Sequence, residues 1–331
     1  MRLFARLVAG SLFAALASAA TAQTYPDRPI RMIVSIAAGS VTDVIMRAAA
    51  AELGPRLGQQ LVIENRGGAS GIPAAQQCAQ ANPDGYTVCV IYHSTLAFNP
   101  LLFNKLPYDA DKDFALIARL FFLIEGIAVT TVGLDVKSMT ELKALATAKP
   151  NALNYGTLGP GSYPDLFLKW LNNQWGTSIV GIPYRGGGPI AQALVAGELQ
   201  MGNMGLGNFM PLLDGGKIKL VAVGAPKRLP SVPNVATFAE AGLGDYQGRG
   251  WWGLAAPAGT PRAIIDRLNA EFVKLFGEPK FTAFLDKQLV IPAPTTPEEF
   301  AAFVRQDRQR AEHLIKLANT PREDYKPPER P

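Results

Sequence analysis

From Ile30 onward, short β-branched runs alternate with segments of helical periodicity, and the alternation starts again past residue 138. "IRMIVSI" has the continuous apolar character of a buried parallel strand. "TDVIMRAAAAELGPRLG" follows with Val44, Ile45, Ala48 and Ala49 at helical spacing, and Gly54-Pro55 is expected to break it. "QQLVIEN", "GIPAAQQCAQA" and "YTVCVIY" then read as strand, helix and strand, with a turn at Asn82-Pro83-Asp84-Gly85. Such an order implies a parallel sheet with right-handed crossovers and helices on its faces. The second block runs "SMTELKALATAKP" (helix, closed by Pro150), "ALNYGT" (strand), "YPDLFLKWLNNQWG" (helix), "SIVGIPY" (strand), "GPIAQALVAGE" (helix) and "LQMGNM" (strand). A last block, "GLAAPAGTPRAIIDRLNAEFVKLF" and "TPEEFAAFVRQDRQRAEHLIKLA", gives a strand-like piece and two amphipathic helices. No short-period repeat is present, which argues against a solenoid. The fold class is α/β, and two similar units with a ligand between them is one architecture this order permits.

At 331 residues and 48% hydrophobic content, the chain can bury two cores. Its first residues set the compartment. Arg2 and Arg6 precede an apolar stretch, Leu7 to Ala20, that is short for a bilayer span, and Ala20-Thr21-Ala22 is a small-x-small cleavage site. Residues 1–22 are therefore expected to be a signal peptide, with a mature start near Gln23 in the periplasm and no lipid anchor. Losing Arg2 and Arg6 lowers the formal charge of +5 by two. The remaining cations are scattered, even in "KIKLVAVGAPKR", so no nucleic-acid footprint is present. In an oxidising compartment the two cysteines, Cys78 and Cys89, are expected to pair, the other reading being two buried thiols. They form no C-x-x-C, and no metal or cofactor is expected.

Two distant stretches, "GSVTD" (39–43) and "GSYPD" (161–165), share the pattern Gly-Ser-x-x-Asp, each after a strand-like run. Ser is a good N-cap, and Asp three residues on suits an Asp variant of the capping box. Pro164 suits a first helical turn. Taken singly, each is an ordinary helix start. At a strand's carboxyl end, however, a helix start also turns unpaired N–H groups and a positive dipole end toward a cleft. Amides near Ser40, Val41 and Thr42 suit one face of a carboxylate. Those near Gly161, Ser162 and Tyr163, with the hydroxyls of Thr157 and Ser162, suit the other. Gly39, Gly159 and Gly161 allow close backbone approach.

At these residues the chain resembles the extracytoplasmic solute-binding proteins of tripartite tricarboxylate transporters, the Bug family. The resemblance covers the mature chain through "YPDRPIRMIVSIAAGSVTD", "RLGQQLVIENRGGASG", "ANPDGYTVCV", "TLAFNPLLFNKLPYD", "LNYGTLGPGS", "IPYRGGGP", "GGKIKLVAVGAPKRLPSVPNVATFAEAG" and "WWGLAAPAGTP", in that order and spacing. It implies a two-domain, type II-like periplasmic-binding fold that closes by a hinge on a small organic acid, and delivery to membrane permease subunits. One domain would comprise 23–125 and 249–318, the other 126–248, with a Pro-rich, unstructured tail over 319–331. The family's carboxylate-holding loops fall on Ala37 to Asp43, which includes Ala38, and on Thr157 to Ser162, which includes Leu158. A monomer is expected.

The chain departs from the family in several places. Ser35-Ile36 and Gly39-Ser40-Val41 replace a Pro-Phe and glycine run. Tyr92-His93-Ser94-Thr95 replaces a run of small residues, which makes His93, Ser94 and Thr95 candidates for the ligand's distal group. A protonated His93 there would give affinity that weakens above about pH 6.5–7; the alternative is a structural histidine. Met204 stands near a position where the family often carries an acid, which argues against an amino group on the ligand. With Phe121, Phe122, Trp251 and Trp252 as wall candidates, this favours an aromatic carboxylate or a dicarboxylate. Arg185 replaces a common Lys and is a candidate two-point carboxylate partner, or simply a solvated cation.

Of two rival functions, a hydrolase finds less support, and the sequence does not discriminate a sensor role. A secreted hydrolase needs a nucleophile with a base in reach; there is no G-x-S-x-G elbow and no H-E-x-x-H, and only His93 beside Ser94 keeps that reading open. A sensor accessory that hands its ligand to a signalling partner would use the same fold.

Overall fold

The computed structural model describes residues 25–244, 246 and 249–327. The expected signal peptide lies outside the described residues. Two sheets organise the chain. The first contains β1 (Ile30–Val34), β2 (Leu61–Asn65), β3 (Thr87–Tyr92), β4 (Phe114–Leu123), β10 (Trp251–Pro257) and β11 (Val290–Pro292), in the order β11-β4-β10-β3-β1-β2. The second contains β5 (Glu125–Thr130), β6 (Asn154–Thr157), β7 (Val180–Pro183), β8 (Met201–Gly205) and β9 (Ile218–Val223), in the order β7-β6-β8-β5-β9. Helices α1 (Val41–Leu57), α2 (Ile72–Ala79), α6 (Arg262–Gly277), α7 (Pro279–Lys287) and α8 (Pro297–Leu317) belong with the first sheet, and α3 (Met139–Ala148), α4 (Tyr163–Trp175) and α5 (Gly187–Ala196) with the second.

The parallel expectation holds for the strand–helix–strand units: β1 runs parallel to β2 and β3, and β6 to β7 and β8. It fails where the chain changes lobes. Only Ile124 separates β4 from β5, so a chain that leaves one sheet at the cleft enters the other at the cleft. A strand that begins at the cleft must run away from it, which makes β5 antiparallel to β8 and β9, and β10 antiparallel to β3 and β4. Both sheets are therefore mixed. The parallel strands still aim their carboxyl ends, and the helix starts that follow, at the space between the lobes.

Helix α1 continues through Gly54-Pro55 and stops at Gly58, whose φ of 74° is left-handed. Leu53 and Leu57 are buried against the first core and hold the last turn in place. In the second lobe, α4 packs Leu166, Phe167, Trp170 and Leu171 around Tyr155. Helix α8 spans both lobes, with Phe300 and Val304 in one core and Ala311 and Leu314 in another. Its start is a complete capping box between Thr296 and Glu299. Cys78 and Cys89 are joined as expected, tying α2 to β3 with Cα atoms 6.1 Å apart. The segment expected as an unstructured tail is docked as far as Tyr325, whose ring packs edge-on against Phe103. Within it the Glu323 N–H donates to the Leu102 carbonyl at 2.9 Å, and Arg322 donates to the carbonyls of Pro100 and Phe103. No described helix is long and apolar enough to cross a membrane.

Candidate functional site at the lobe junction

The two Gly-Ser-x-x-Asp turns are near copies of one structure. Gly39 and Gly161 are left-handed, with φ of 78° and 73°. Ser40 and Ser162 are extended N-caps at φ/ψ −73°/154° and −68°/156°. The Gly39 N–H donates to Asp43 Oδ2 at 2.9 Å, and the Gly161 N–H donates to Asp165 Oδ2 at 2.9 Å. Each carboxylate then pairs with a cation one turn on, Asp43 with Arg47 at 3.0 Å and Asp165 with Lys169 at 2.9 Å. This corrects the capping-box expectation. The aspartate reaches the glycine amide rather than the serine amide, because a left-handed glycine turns its N–H into the first helical turn, and neither serine hydroxyl caps its own helix. Burial alone would raise the Asp43 carboxyl. Arg47, the Gly39 amide and Asn65 outweigh it and hold the group below its ordinary value.

The serines act elsewhere. Ser40 Oγ accepts from the Gly188 N–H of the other lobe at 3.3 Å, while the Val41 N–H donates to Asn208 Oδ1 at 3.0 Å. Ser162 Oγ stays within its own loop, donating to the Gly159 carbonyl at 2.7 Å and accepting from the Leu158 N–H at 3.3 Å. No acceptor among the described residues takes the N–H of Thr42 or Tyr163.

The fold brings the two turns together. Ser40, Val41 and Thr42 from one, and Leu158, Tyr163 and Pro164 from the other, line a single cavity between the lobes. Its volume is about 40 Å³, room for a few waters at roughly 10–15 Å³ each. Further hydrogen bonds hold the lobes this close: the Ala37 N–H donates to the Arg185 carbonyl at 3.0 Å, and Ser70 Oγ donates to the Pro160 carbonyl at 2.7 Å. Backbone meets backbone so tightly at this seam that a Cβ on Gly67 would lie 2.2 Å from the Arg185 oxygen.

His93 and Met204 also line the cavity. Gly39, Asp43, Thr157, Gly161 and Ser162 instead form the turns behind it. Ser94 and Thr95 sit in the buried helical turn after β3, their hydroxyls without partners among the described residues, and do not line the cavity. Ala38 and Arg185 line a second, open cavity of about 510 Å³, shared with Asn65 and Arg66, and not the enclosed one. Of the four aromatic wall candidates only Trp252 qualifies. Phe121 stacks on Phe276, Phe122 packs against Phe303, and the Trp251 indole N–H donates to Asp307 Oδ2 at 2.6 Å.

The far end of the cavity differs from the expectation most. Burial, aided by Arg310, pushes the His93 imidazole down to about 3, so the ring is neutral at physiological pH and the protonated role falls away. Among the described residues neither ring nitrogen has a hydrogen-bond partner; nor do Tyr163 OH and Trp252 Nε1. Beside His93 stands Glu125, a residue that no sequence pattern singled out. It is 5% exposed, and burial pushes its carboxyl up to about 7, against a smaller opposing effect of the Gly250 amide. Glu125 lies opposite Gly205 in the β5–β8 pair, next to Met204, so the site does contain a carboxylate. The available signal was a lone acid inside the apolar run "FFLIEGIAVT" at the crossing between lobes. His93 and Ser94 are adjacent, but the ring makes no bond to the hydroxyl, so no nucleophile–base pair forms.

The chain is similar to known proteins over nearly its whole length. The family model of the tripartite tricarboxylate transporter family receptor matches residues 45–320. A UPF0065 protein of Bordetella bronchiseptica is 33% identical over 315 residues, 95% of this chain and 92% of that one. Among solved structures, R. palustris Rpa4515 with adipate superposes with a TM-score of 0.85 at 30% identity, covering 90% of this chain and all of that one. MatC from Rhodopseudomonas palustris with bound malate gives 0.81 at 32% identity, covering 88% and 100%. A mixed α/β fold of two lobes, each presenting the same strand–turn–helix start to one cavity, together with these matches, makes this chain a member of the tripartite tricarboxylate transporter receptor family.

Proposed function

We propose that the protein is an extracytoplasmic solute-binding receptor that captures a small organic carboxylate between its lobes and presents it to the membrane permease of a tripartite transporter. One observation carries this reading: two copies of one turn, one per lobe, direct helix starts at a single cavity in which the Thr42 and Tyr163 amides have no acceptor among the described residues. Unpaired N–H groups at the positive end of a helix dipole form an anion site, and two such sites facing one another suit the two oxygens of one carboxylate. The adipate and malate held by related proteins support the same ligand class. Gripping from both sides also couples binding to lobe closure, because neither turn alone completes the site. At about 40 Å³ the cavity is far smaller than the ~300–1,000 Å³ of an ordinary ligand pocket. Entry therefore requires the lobes to part, with the crossings at Ile124 and between β9 and β10 as the hinge. No covalent chemistry is involved.

The test is a thermal-shift screen of the purified protein over mono- and dicarboxylic, aromatic and amino acids. A ligand at 100 times its Kd adds about 2.7 kcal/mol of stability, enough to raise the Tm by several degrees. Uptake should be stoichiometric and leave the ligand unchanged. If no organic acid raises the Tm, the reading fails.

A further inference from the structure

The carboxylate site at the helix starts accounts for one end of the cavity and leaves Glu125 unused. This side chain is 5% exposed, sits on the first residue of β5 at the crossing between lobes, and faces the same cavity as both turns. It has no ion-pair partner among the described residues, and no lysine or arginine lines the cavity. The groups around it come from five elements: His93 after β3, Tyr163 at the start of α4, Tyr155 on β6, Tyr246 in the segment before β10, and Arg310 on α8. The tyrosines are held protonated by burial, His93 is neutral, and Arg310 is committed to Asp307. Glu125 and His93 both pack against Gly250, where a Cβ would lie 2.7 Å from Glu125 Oε1 and 3.5 Å from His93 Cε1.

The cavity is thus lined both by two positive helix starts and by a carboxylate, a neutral imidazole and a phenol oxygen. We propose that the ligand is an amino carboxylate, its carboxylate on the two helix starts and its ammonium donating to Glu125, rather than a dicarboxylate. This rests on the carboxylate-binding reading above and specifies its ligand. A second ligand carboxylate at the far end would meet Glu125 with no cation to balance the two. An ammonium has the opposite charge and only donors to offer, which matches the acceptors present: Glu125, the unprotonated nitrogen of His93 and Tyr163 OH. The stacked rings of Tyr92 and Trp252, with centroids 4.7 Å apart, add aromatic surface at the cavity that suits a cation. Binding of such a ligand strengthens as pH rises through the titration of Glu125, and binding of a dicarboxylate weakens.

The test uses the mature protein and Glu125→Gln, with binding measured by calorimetry and thermal shift near pH 6 and near pH 8.5. The probes are unbranched acids of three to six carbons in matched sets: the monoacid, the α,ω-dicarboxylate and the ω-amino acid, with the α-amino acid as a fourth arm. The wild type should prefer an amino acid to its matched dicarboxylate by at least about tenfold at the higher pH, one pKa-unit equivalent of discrimination. Glu125→Gln, which keeps the shape and removes the charge, should abolish or reverse that order while retaining the monoacid. Tighter dicarboxylate binding by the wild type, binding of acids without any amino acid, or an unchanged preference in the variant overturns this proposal and leaves carboxylate capture intact. If no probe of any class binds, carboxylate capture itself fails, and the amino carboxylate with it.

Discussion

The two ends of the interlobe cavity are made of different materials. The near end is main chain: two helix starts shaped by Gly39–Asp43 and Gly161–Asp165, whose amides do not titrate. The far end is side chain: His93 and Glu125, which burial has pushed to about 3 and about 7, in opposite directions from their ordinary values. On the proposed reading a carboxylate is held at the near end across the pH range in which it is ionised, and pH dependence and ligand choice are assigned to the far end. A finer contrast exists within the near end. The first turn directs its serine hydroxyl and an amide across the cleft to Gly188 and Asn208, whereas the second keeps its serine bonds within its own loop. One copy thus contributes to closure and the other to local rigidity.

The largest expected effect is at His93. Its folded pKa is depressed to about 3, so acidification protonates the unfolded chain first and stability falls as pH drops from about 6.5 toward 3, by about 5 kcal/mol at most. His93→Gln should flatten this acid limb in urea denaturation; an unchanged limb would mean the ring is not buried neutral. Glu125 comes next, with the opposite slope. Its folded pKa is raised to about 7, so the unfolded chain releases its proton first and stability falls as pH rises from about 4.5 to 7, by about 3 kcal/mol. Glu125→Gln should be more stable than wild type at pH 8 and similar to it at pH 4. Equal stability at pH 8 would contradict the account of a buried, uncompensated carboxylate.

The near-end variants should be smaller in effect. Among the described residues Asp43 is bonded to the Gly39 amide, Arg47 and Asn65, and Asp165 only to the Gly161 amide and Lys169. Asp43→Ala should cost about 2–3 kcal/mol and Asp165→Ala about 1 kcal/mol, with chemical denaturation as the measure. Equal costs would show that the two turns are equivalent in energy as well as in shape. Smallest are the serines. Ser162→Ala should lower stability by about 1 kcal/mol, whereas Ser40→Ala should leave unfolding nearly unchanged and instead weaken ligand binding through looser closure. The reverse assignment would erase the distinction between a closing turn and a rigid one.

The sequence made the near end legible and the far end opaque, for physical reasons. Repeated Gly-Ser-x-x-Asp turns after strands are local features, and local features are written in consecutive residues. Even there the bonding differed in detail: Asp43 and Asp165 hold the glycine amide, a consequence of the left-handed glycine that the capping pattern alone does not reveal. The strand–helix–strand units were equally local, while the antiparallel strands β5 and β10 follow from where the chain crosses between lobes, a property of the whole path. Glu125 becomes a candidate only once β5 is placed against β8 and the lobes close on it. Arg185 was the converse case, a cation in a Gly-rich loop whose carbonyl joins the lobes and which lines the second, open cavity.

The most direct measurement is a crystal structure of the mature protein with an acid selected by thermal shift. One ligand carboxylate should lie with its oxygens within hydrogen-bond reach of the Thr42 and Tyr163 amides, and the lobes should be closed over it. A ligand carboxylate found against His93 and Glu125, or on the outer cavity beside Arg66 and Arg185, would contradict carboxylate capture by the paired helix starts.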